Sequence, residues 1–267
     1  MSGEGFVRRE RDGVAVHLSR ALEEIPGLRH GFSTRHGGVS ALPRGALNLS
    51  RVAWDAPENV EENRRRFLRA VEIEPGELRA LAQIHSDRIR IVESAEPWVR
   101  EEGDGMITPL PSVALAIQVA DCFPVLLADP VRGVVANLHA GWRGTAARIA
   151  EKGVGVAASR FGCNPGAVRV AIGPGIRSCC FEVGSEVAAV FETSFPGTPL
   201  SRPIPGAPGK FLVDLPAALV HQLRAAGVAA ENIHDLGACT RCNPDEFFSY
   251  RGEGPHSGRL MAIIARS

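Results

Sequence analysis

The sequence has no excess of either charge: 30 Lys and Arg side chains stand against 30 Asp and Glu. No global positive field is therefore present to draw in nucleic acid or anionic lipid. A long apolar run is also missing. The best candidate, Val113 to Ala128, is broken by Gln118, Asp121 and Pro124. It falls short of the roughly 18–20 residues that a membrane span needs and reads instead as buried strands. The opening residues, MSGEGFVRRERDG, hold no apolar segment of the secretory kind. Internal repeats and long low-complexity tracts are absent as well. These gaps argue against membrane and nucleic-acid roles and make the cytoplasm the expected address.

What remains is an ordinary globular composition, 45% apolar and 22% charged over 267 residues. One large domain spanning 1–267 is the expectation. Six cysteines stand at positions 122, 163, 179, 180, 239 and 242. Without a leader, and in a chain long enough to build its own core, they are expected as thiols rather than disulfides.

Strand and helix signals alternate. Residues 14–18, 28–33, 113–119, 125–128, 134–138 and 168–172 read as short, largely buried strands. Helices are expected over 58–71, with Asp55 as cap and Pro57 in the first turn, and over about 145–160. A further helix follows an Asp214 cap and stops at Gly227. The stretch 194–209, with five prolines and three glycines, reads as a surface loop or a lid. The fold class is therefore α/β or α+β, with a mixed sheet.

Asp129-Pro130-Val131-Arg132-Gly133 reads as a turn between two apolar strands. Pairing Ala128 with Gly133 sets Cys122 opposite His139, where Cβ atoms lie about 4.5–5.5 Å apart. That separation suits two ligands of one metal ion at about 2.0–2.3 Å. Pro124 disturbs the ladder, so the inference is proximity and not exact pairing. A thiolate with imidazoles favours zinc or copper over magnesium or calcium. The plain alternatives are a buried structural thiol and a satisfied core histidine. His85, in Gln83-Ile-His-Ser-Asp, is not linked to the other two by local spacing.

Several strings resemble the YfiH family, also called the laccase-domain or multicopper polyphenol oxidoreductase family. They are Gly31-Phe-Ser-Thr-Arg-His-Gly-Gly-Val-Ser, Gln83-Ile-His-Ser-Asp, Ala120-Asp-Cys-Phe-Pro and His139-Ala-Gly-Trp-Arg-Gly-Thr. Ile172-Gly-Pro-Gly-Ile-Arg-Ser-Cys-Cys-Phe-Glu-Val-Gly, Cys239-Thr and Phe247-Phe-Ser-Tyr-Arg continue the match to the end of the chain. The resemblance implies a single-domain α/β sandwich with His85, Cys122 and His139 as zinc ligands. It also implies phosphorolysis of adenosine, inosine, guanosine and methylthioadenosine, and deamination of adenosine. Purine nucleosides and phosphate are then the expected partners.

Arg35 beside Gly37-Gly38, and Arg143 in a Gly-flanked turn at a helix start, have the makings of an anion site. Ion pairs with surface carboxylates are an equal reading of both. Asp121 could orient a zinc-bound water or a ribose hydroxyl, or cap a turn. Gln83 is a candidate substrate contact, and Tyr250-Arg251 a candidate pocket wall. Cys239-Thr-Arg-Cys242 has the spacing of half a zinc knuckle or of a redox pair. Lacking a second CxxC, it reads as structural or incidental, with Cys179-Cys180 buried near the turn.

Three other activities compete. A copper polyphenol oxidase, the sense of the family's older name, needs many histidines in H-x-H pairs, and none of the eight here forms one. A Cys–His hydrolase would use Cys122 as nucleophile and His139 as base, in amide hydrolysis linked to peptidoglycan precursor editing. A pure binding module fits poorly with polar residues at strand ends. The nucleobase-deaminase signature H-x-E with P-C-x-x-C is absent, so any deaminase here uses another constellation.

Overall fold

The computed structural model describes residues 5–41, 45–74, 76, 78–94, 96 and 99–267. Strands buried on both faces need apolar residues at every position, and this requirement organises the molecule. In β15 (Leu260–Arg266), Leu260, Ala262 and Ile264 point to one core while Met261, Ile263 and Ala265 point to another. In β8 (Phe123–Ala128), Val125 and Leu127 face one way and Leu126 and Ala128 the other.

These strands belong to two mixed six-stranded sheets. The first runs β1 (Phe6–Arg11), β2 (Val14–Ser19), β3 (Leu28–Ser33), β15, β7 (Ala114–Val119) and β4 (Leu78–Ala80). The second runs β14 (Ile233–Asp235), β10 (Arg169–Ile172), β8, β9 (Val135–Ala140), β6 (Gly105–Thr108) and β5 (Ile89–Ile91). Leu115, Ile117 and Ile264 of the first sheet meet Leu126, Val135 and Ala171 of the second in the central core. Outside the first sheet lies α2 (Pro57–Ala70), which buries Val60, Phe67 and Leu68. Its Glu62 and Arg66 pair at the surface. Outside the second sheet lie α4 (Ile149–Phe161) and α6 (Leu215–Ala225). Each fully buried Phe, Leu or Ile contributes about 1.5–3 kcal/mol relative to exposure. The result is an α/β sandwich in which two sheets are flanked by helices, as expected.

Four local expectations are corrected. The β8–β9 hairpin forms, but Ala128 pairs with Val135 and Pro124 with His139, a partner shift of two residues. Its cause is Asp129, whose carboxylate takes the amides of Val131 and Arg132 while its backbone pairs with Val134. The loop is thus Pro130–Gly133. Because the slip is even, every side chain keeps its face.

The helix expected over 145–160 is two helices, α3 (Trp142–Ala146) and α4, parted by Arg148 in the left-handed region at φ 64°. Asp55 does not cap α2; it accepts from Ser40, Asn48 and Asn59. Part of 194–209 forms β12 (Ser201–Pro203), which joins β11 (Glu182–Gly184) and β13 (Lys210–Val213) in a small sheet. Asp214 does cap α6, accepting from the Ala217 amide. Among the described residues no helix is long and apolar enough to cross a membrane.

One buried histidine ties stability to pH. His30 in β3 is 4% exposed, and its Nε2 accepts from the Ser19 amide at 2.8 Å. Burial holds its pKa down at about 4, against 6.5 for a free histidine. The folded ring stays neutral over an interval where the unfolded ring binds a proton, so stability falls as pH drops below 6.5. Between pH 7 and pH 5 this single group is expected to cost about 2 kcal/mol. Urea unfolding of the protein and of His30→Gln at both pH values checks it: the variant should lose less on acidification, by that amount. Equal losses would refute it.

Candidate metal centre and its cleft

The chain crosses from the first sheet to the second through Ala120-Asp121-Cys122, between β7 and β8. Asp121 stands at φ +87°, a strained turn that places the Cys122 thiol at the mouth of β8. His139 lies in β9, opposite Pro124. His85, at φ +59°, comes from the loop after β4. One ligand atom from each of His85, Cys122 and His139 lies within 4.8 Å of the others. The two rings meet edge to face, with centroids 5.0 Å apart.

Asp104, absent from the sequence reading, ties the two histidines of this trio together. It is fully buried, and one oxygen accepts from His139 Nδ1 at 2.8 Å and from the His85 amide at 3.0 Å. The other oxygen accepts from the Ile84 amide, the Ser86 amide and the Ser86 hydroxyl. With Nδ1 committed as donor, His139 Nε2 is left as the lone-pair nitrogen for a metal. A carboxylate behind a ligating histidine is the usual way such a ring is oriented. The sequence signal was slight: one acidic residue between Gly103 and Gly105, just before an apolar strand.

The electrostatics agree. Burial works against an ionised Cys122, but the His139 charge and hydrogen bonds from His139 and His85 outweigh it and bring the thiol down to about 6. Burial would likewise keep His139 neutral, yet Cys122 and Asp104 hold its pKa up at about 9. Asp104 is drawn down to about 2, its burial outweighed by the bonds from His139 and Ser86. Once a metal displaces the proton that His139 shares with Cys122, the set is one thiolate and two imidazoles with an open side, which fits zinc or copper(I) and suits neither magnesium nor calcium. Space beneath the ligands is tight. A Cβ on Gly141 would lie 3.0 Å from Cys122 Sγ and 3.3 Å from His85 Cδ2.

The centre opens into a cleft of about 530 Å³. Gln83 and Asp121 line it, but their polar atoms are engaged. Gln83 holds the backbone of Gln118 from both sides, at 2.7 and 2.9 Å. Asp121 accepts from the Thr240 hydroxyl and the Arg251 amide, each at 2.6 Å. Tyr250 and Arg251 form part of the wall, as the sequence suggested.

Arg35 and Arg143 do not line the cleft. The Arg35 guanidinium donates to the Pro244 carbonyl, pairs with Glu253 at 3.0 Å and lies over Phe248. Arg143 lies over its neighbour Trp142, 4.3 Å from the ring centroid, on the exposed side of α3. Among the described residues the arginines that line the cleft are Arg100, Arg251 and Arg259; the sequence suggested Arg251 as wall and gave no sign of the other two. No residue of 194–209 lines it, so that stretch is not a lid in this conformation.

Residues 29–267 match the family model described as multi-copper polyphenol oxidoreductase laccase. Over 238 residues, 88% of each chain, the sequence is 38% identical to a Deinococcus radiodurans protein named purine nucleoside phosphorylase. The crystal structure of YlmD from Geobacillus stearothermophilus aligns over 99% of each chain with a TM-score of 0.88 at 33% identity. That of the Bacillus licheniformis hypothetical protein YfiH aligns over 99% of this chain and 100% of its own, with TM-score 0.88 and 30% identity.

Proposed function

The chain belongs to the multi-copper polyphenol oxidoreductase laccase family, and from that premise we propose that it is a zinc-dependent purine nucleoside phosphorylase. Its substrates in this reading are adenosine, inosine, guanosine and S-methyl-5′-thioadenosine, with adenosine also deaminated. The relatives' names support the reaction class. The observation that carries it is the meeting of the His85–Cys122–His139 trio with three arginines in one cleft. Asp121, the one carboxylate among the described lining residues, already has both oxygens bonded. The cleft is thus built for an anion.

In phosphorolysis a phosphate oxygen attacks the ribose C1′ and the bond from C1′ to the purine nitrogen breaks. Its electron pair leaves with the base, which gains a proton, and ribose 1-phosphate remains. In this reading Arg251 and Arg259, each with Nη1 donating to backbone carbonyls and the rest of its guanidinium available, hold phosphate and offset its charge, the role first considered for Arg35 and Arg143. Phe181 and the half-exposed Tyr250 give the base an apolar wall. A zinc ion held by His85, Cys122 and His139 would supply Lewis acidity and lower the pKa of a bound water, the chemistry that deamination requires.

The test is incubation of metal-assayed protein with adenosine, with and without phosphate. Phosphate-dependent adenine is expected, falling at least about 100-fold in Cys122→Ala. Neither adenine nor inosine from zinc-loaded protein would overturn the proposal. One observation favours a second reading: Asp104, His139 and Cys122 also align as an orienting acid, a base and a low-pKa thiol. Rapid alkylation of Cys122 in metal-free protein, with amide hydrolysis that zinc inhibits, would select that reading. Protection of Cys122 by stoichiometric zinc selects the first.

A further inference from the structure

Four more cysteines converge away from the cleft's trio. The reverse turn after β10 presents Cys179 and Cys180, and the loop after β14 presents Cys239 and Cys242. Their sulfurs all lie within 4.8 Å of one another. The two segments are joined by a parallel bridge between Gly175 and Cys239 and by the Thr240 amide bonded to the Gly175 carbonyl. Cys239 is buried and Cys180 half-buried, while Cys179 and Cys242 reach the surface, contrary to the buried Cys179-Cys180 expected from the sequence. The second half of the knuckle is therefore the adjacent pair at 179–180, which no CxxC search would find.

We propose that Cys179, Cys180, Cys239 and Cys242 form a second, structural metal site, a tetrathiolate centre for zinc.

Three observations support it. First, the Cys242 sulfur stands 3.5 Å from Cys179 and 3.3 Å from Cys180. Such near-equal sharing suits a common centre better than a single partner. Four sulfurs each about 2.3 Å from a zinc ion in a tetrahedron lie about 3.8 Å from one another, within the spread seen here. Second, the ligand type selects the metal: an all-thiolate tetrahedral set belongs to zinc or iron among the common metals. A multi-iron cluster carries its thiolates on its outer corners, farther apart than these sulfurs stand. Third, hydrogen bonds fix the shape of both turns: the Cys180 amide donates to the Arg177 carbonyl, and the Cys239 carbonyl accepts from the backbone amide and the side-chain amide of Asn243. The trio in the cleft has an open side, whereas this set is complete, as structural zinc sites are.

Such a centre would fasten together two stretches that both reach the cleft. Ile176 and Phe181 bracket the Cys179-Cys180 turn and line the cleft wall. Thr240, between the other two cysteines, bonds Asp121 beside Cys122. The role is positional, and it does not depend on what reaction the cleft performs.

The experiment counts metals in protein purified under reducing conditions and loaded with zinc. About two equivalents per chain are expected, falling to about one in the Cys122→Ala/His139→Ala variant and to about one in Cys179→Ser/Cys242→Ser. Cobalt substitution of the Cys122→Ala/His139→Ala variant guards against a cysteine variant that fails to fold. The intense thiolate-to-cobalt absorption of a four-sulfur tetrahedral site should persist there. A single equivalent in the intact protein that survives in Cys179→Ser/Cys242→Ser, or no such absorption in the cleft variant, would overturn the proposal. So would disulfides joining 179 or 180 to 239 or 242 in the reduced, folded protein.

Discussion

Asp104→Asn is expected to lower zinc affinity and phosphorolysis together, each by roughly 10–100-fold. The reason lies in the hydrogen-bond inventory. Five donors converge on this side chain, two on one oxygen and three on the other. A carboxylate can accept all five, whereas an amide turns one end into a donor that faces donors. If the amide oxygen keeps His139, its nitrogen confronts the Ile84 and Ser86 amides and the loop carrying His85 is released. If it turns over, His139 loses its anchor and the ring is free to rotate.

Asp104→Ala goes further and leaves His139 buried beside Cys122 without its acid. A loss of about 3–5 kcal/mol in stability is expected for breaking a buried charged pair. Zinc competition with a chromogenic chelator, initial rates on adenosine and urea unfolding measure the three effects. Retention of wild-type zinc affinity in Asp104→Asn would show that the acid does not orient the ligands.

The second large effect is expected at Gly38. A Cβ there would sit on the carbonyl of Ala46, far inside van der Waals distance, and neither partner is a flexible side-chain end. The neighbouring bonds, Gly38 to Gly45 and Ser40 to Ala46, fix that approach. Gly38→Ala should destabilise the protein by more than about 3 kcal/mol. Gly155→Ala is the contrasting control. It lies exposed in α4 with no neighbour within 4 Å of an added Cβ, and a gain of about 0.5–1 kcal/mol is expected. Urea unfolding midpoints compare the two, and similar midpoints would refute the steric account. The Gly37-Gly38 turn is therefore a place where two backbones press together, rather than the anion cradle that its composition suggested.

That contrast shows what kind of information the sequence carried. Strands buried on both faces announce themselves as apolar runs, so β3, β7, β8, β9 and β10 were legible to within two residues. Cys122 and His139 could be brought together because both flank one hairpin, and the misplaced register was off by an even number. His85 and Asp104 meet them from β-loops whose approach no local spacing records. The arginines stood level between an anion site and ion pairs, and Arg35 takes the ion pair. A glycine-flanked arginine looks like an anion ligand, but Arg35 turned inward to Glu253 and to carbonyls near residue 247. Arg259, in a plain stretch before β15, faces the cleft. Helix continuity through Arg148 failed because one residue in the left-handed region is enough to redirect a chain.

The cleft is assembled from both sheets, with Gln118 and Val119 at the end of β7 in one and His139 in β9 of the other. Its dimensions therefore depend on how the two sheets lie against each other. Apolar packing alone is a weak guide here, since one aliphatic row can slide past another. Asn137, fully buried in β9, donates both amide hydrogens across the gap, to the carbonyls of Leu115 in β7 and Ala262 in β15, each at 2.9 Å. A slide of one residue would strand those dipoles in the core. Two residues before His139, this amide works as a dowel between the halves of the molecule and keeps that histidine aligned with the opposite wall.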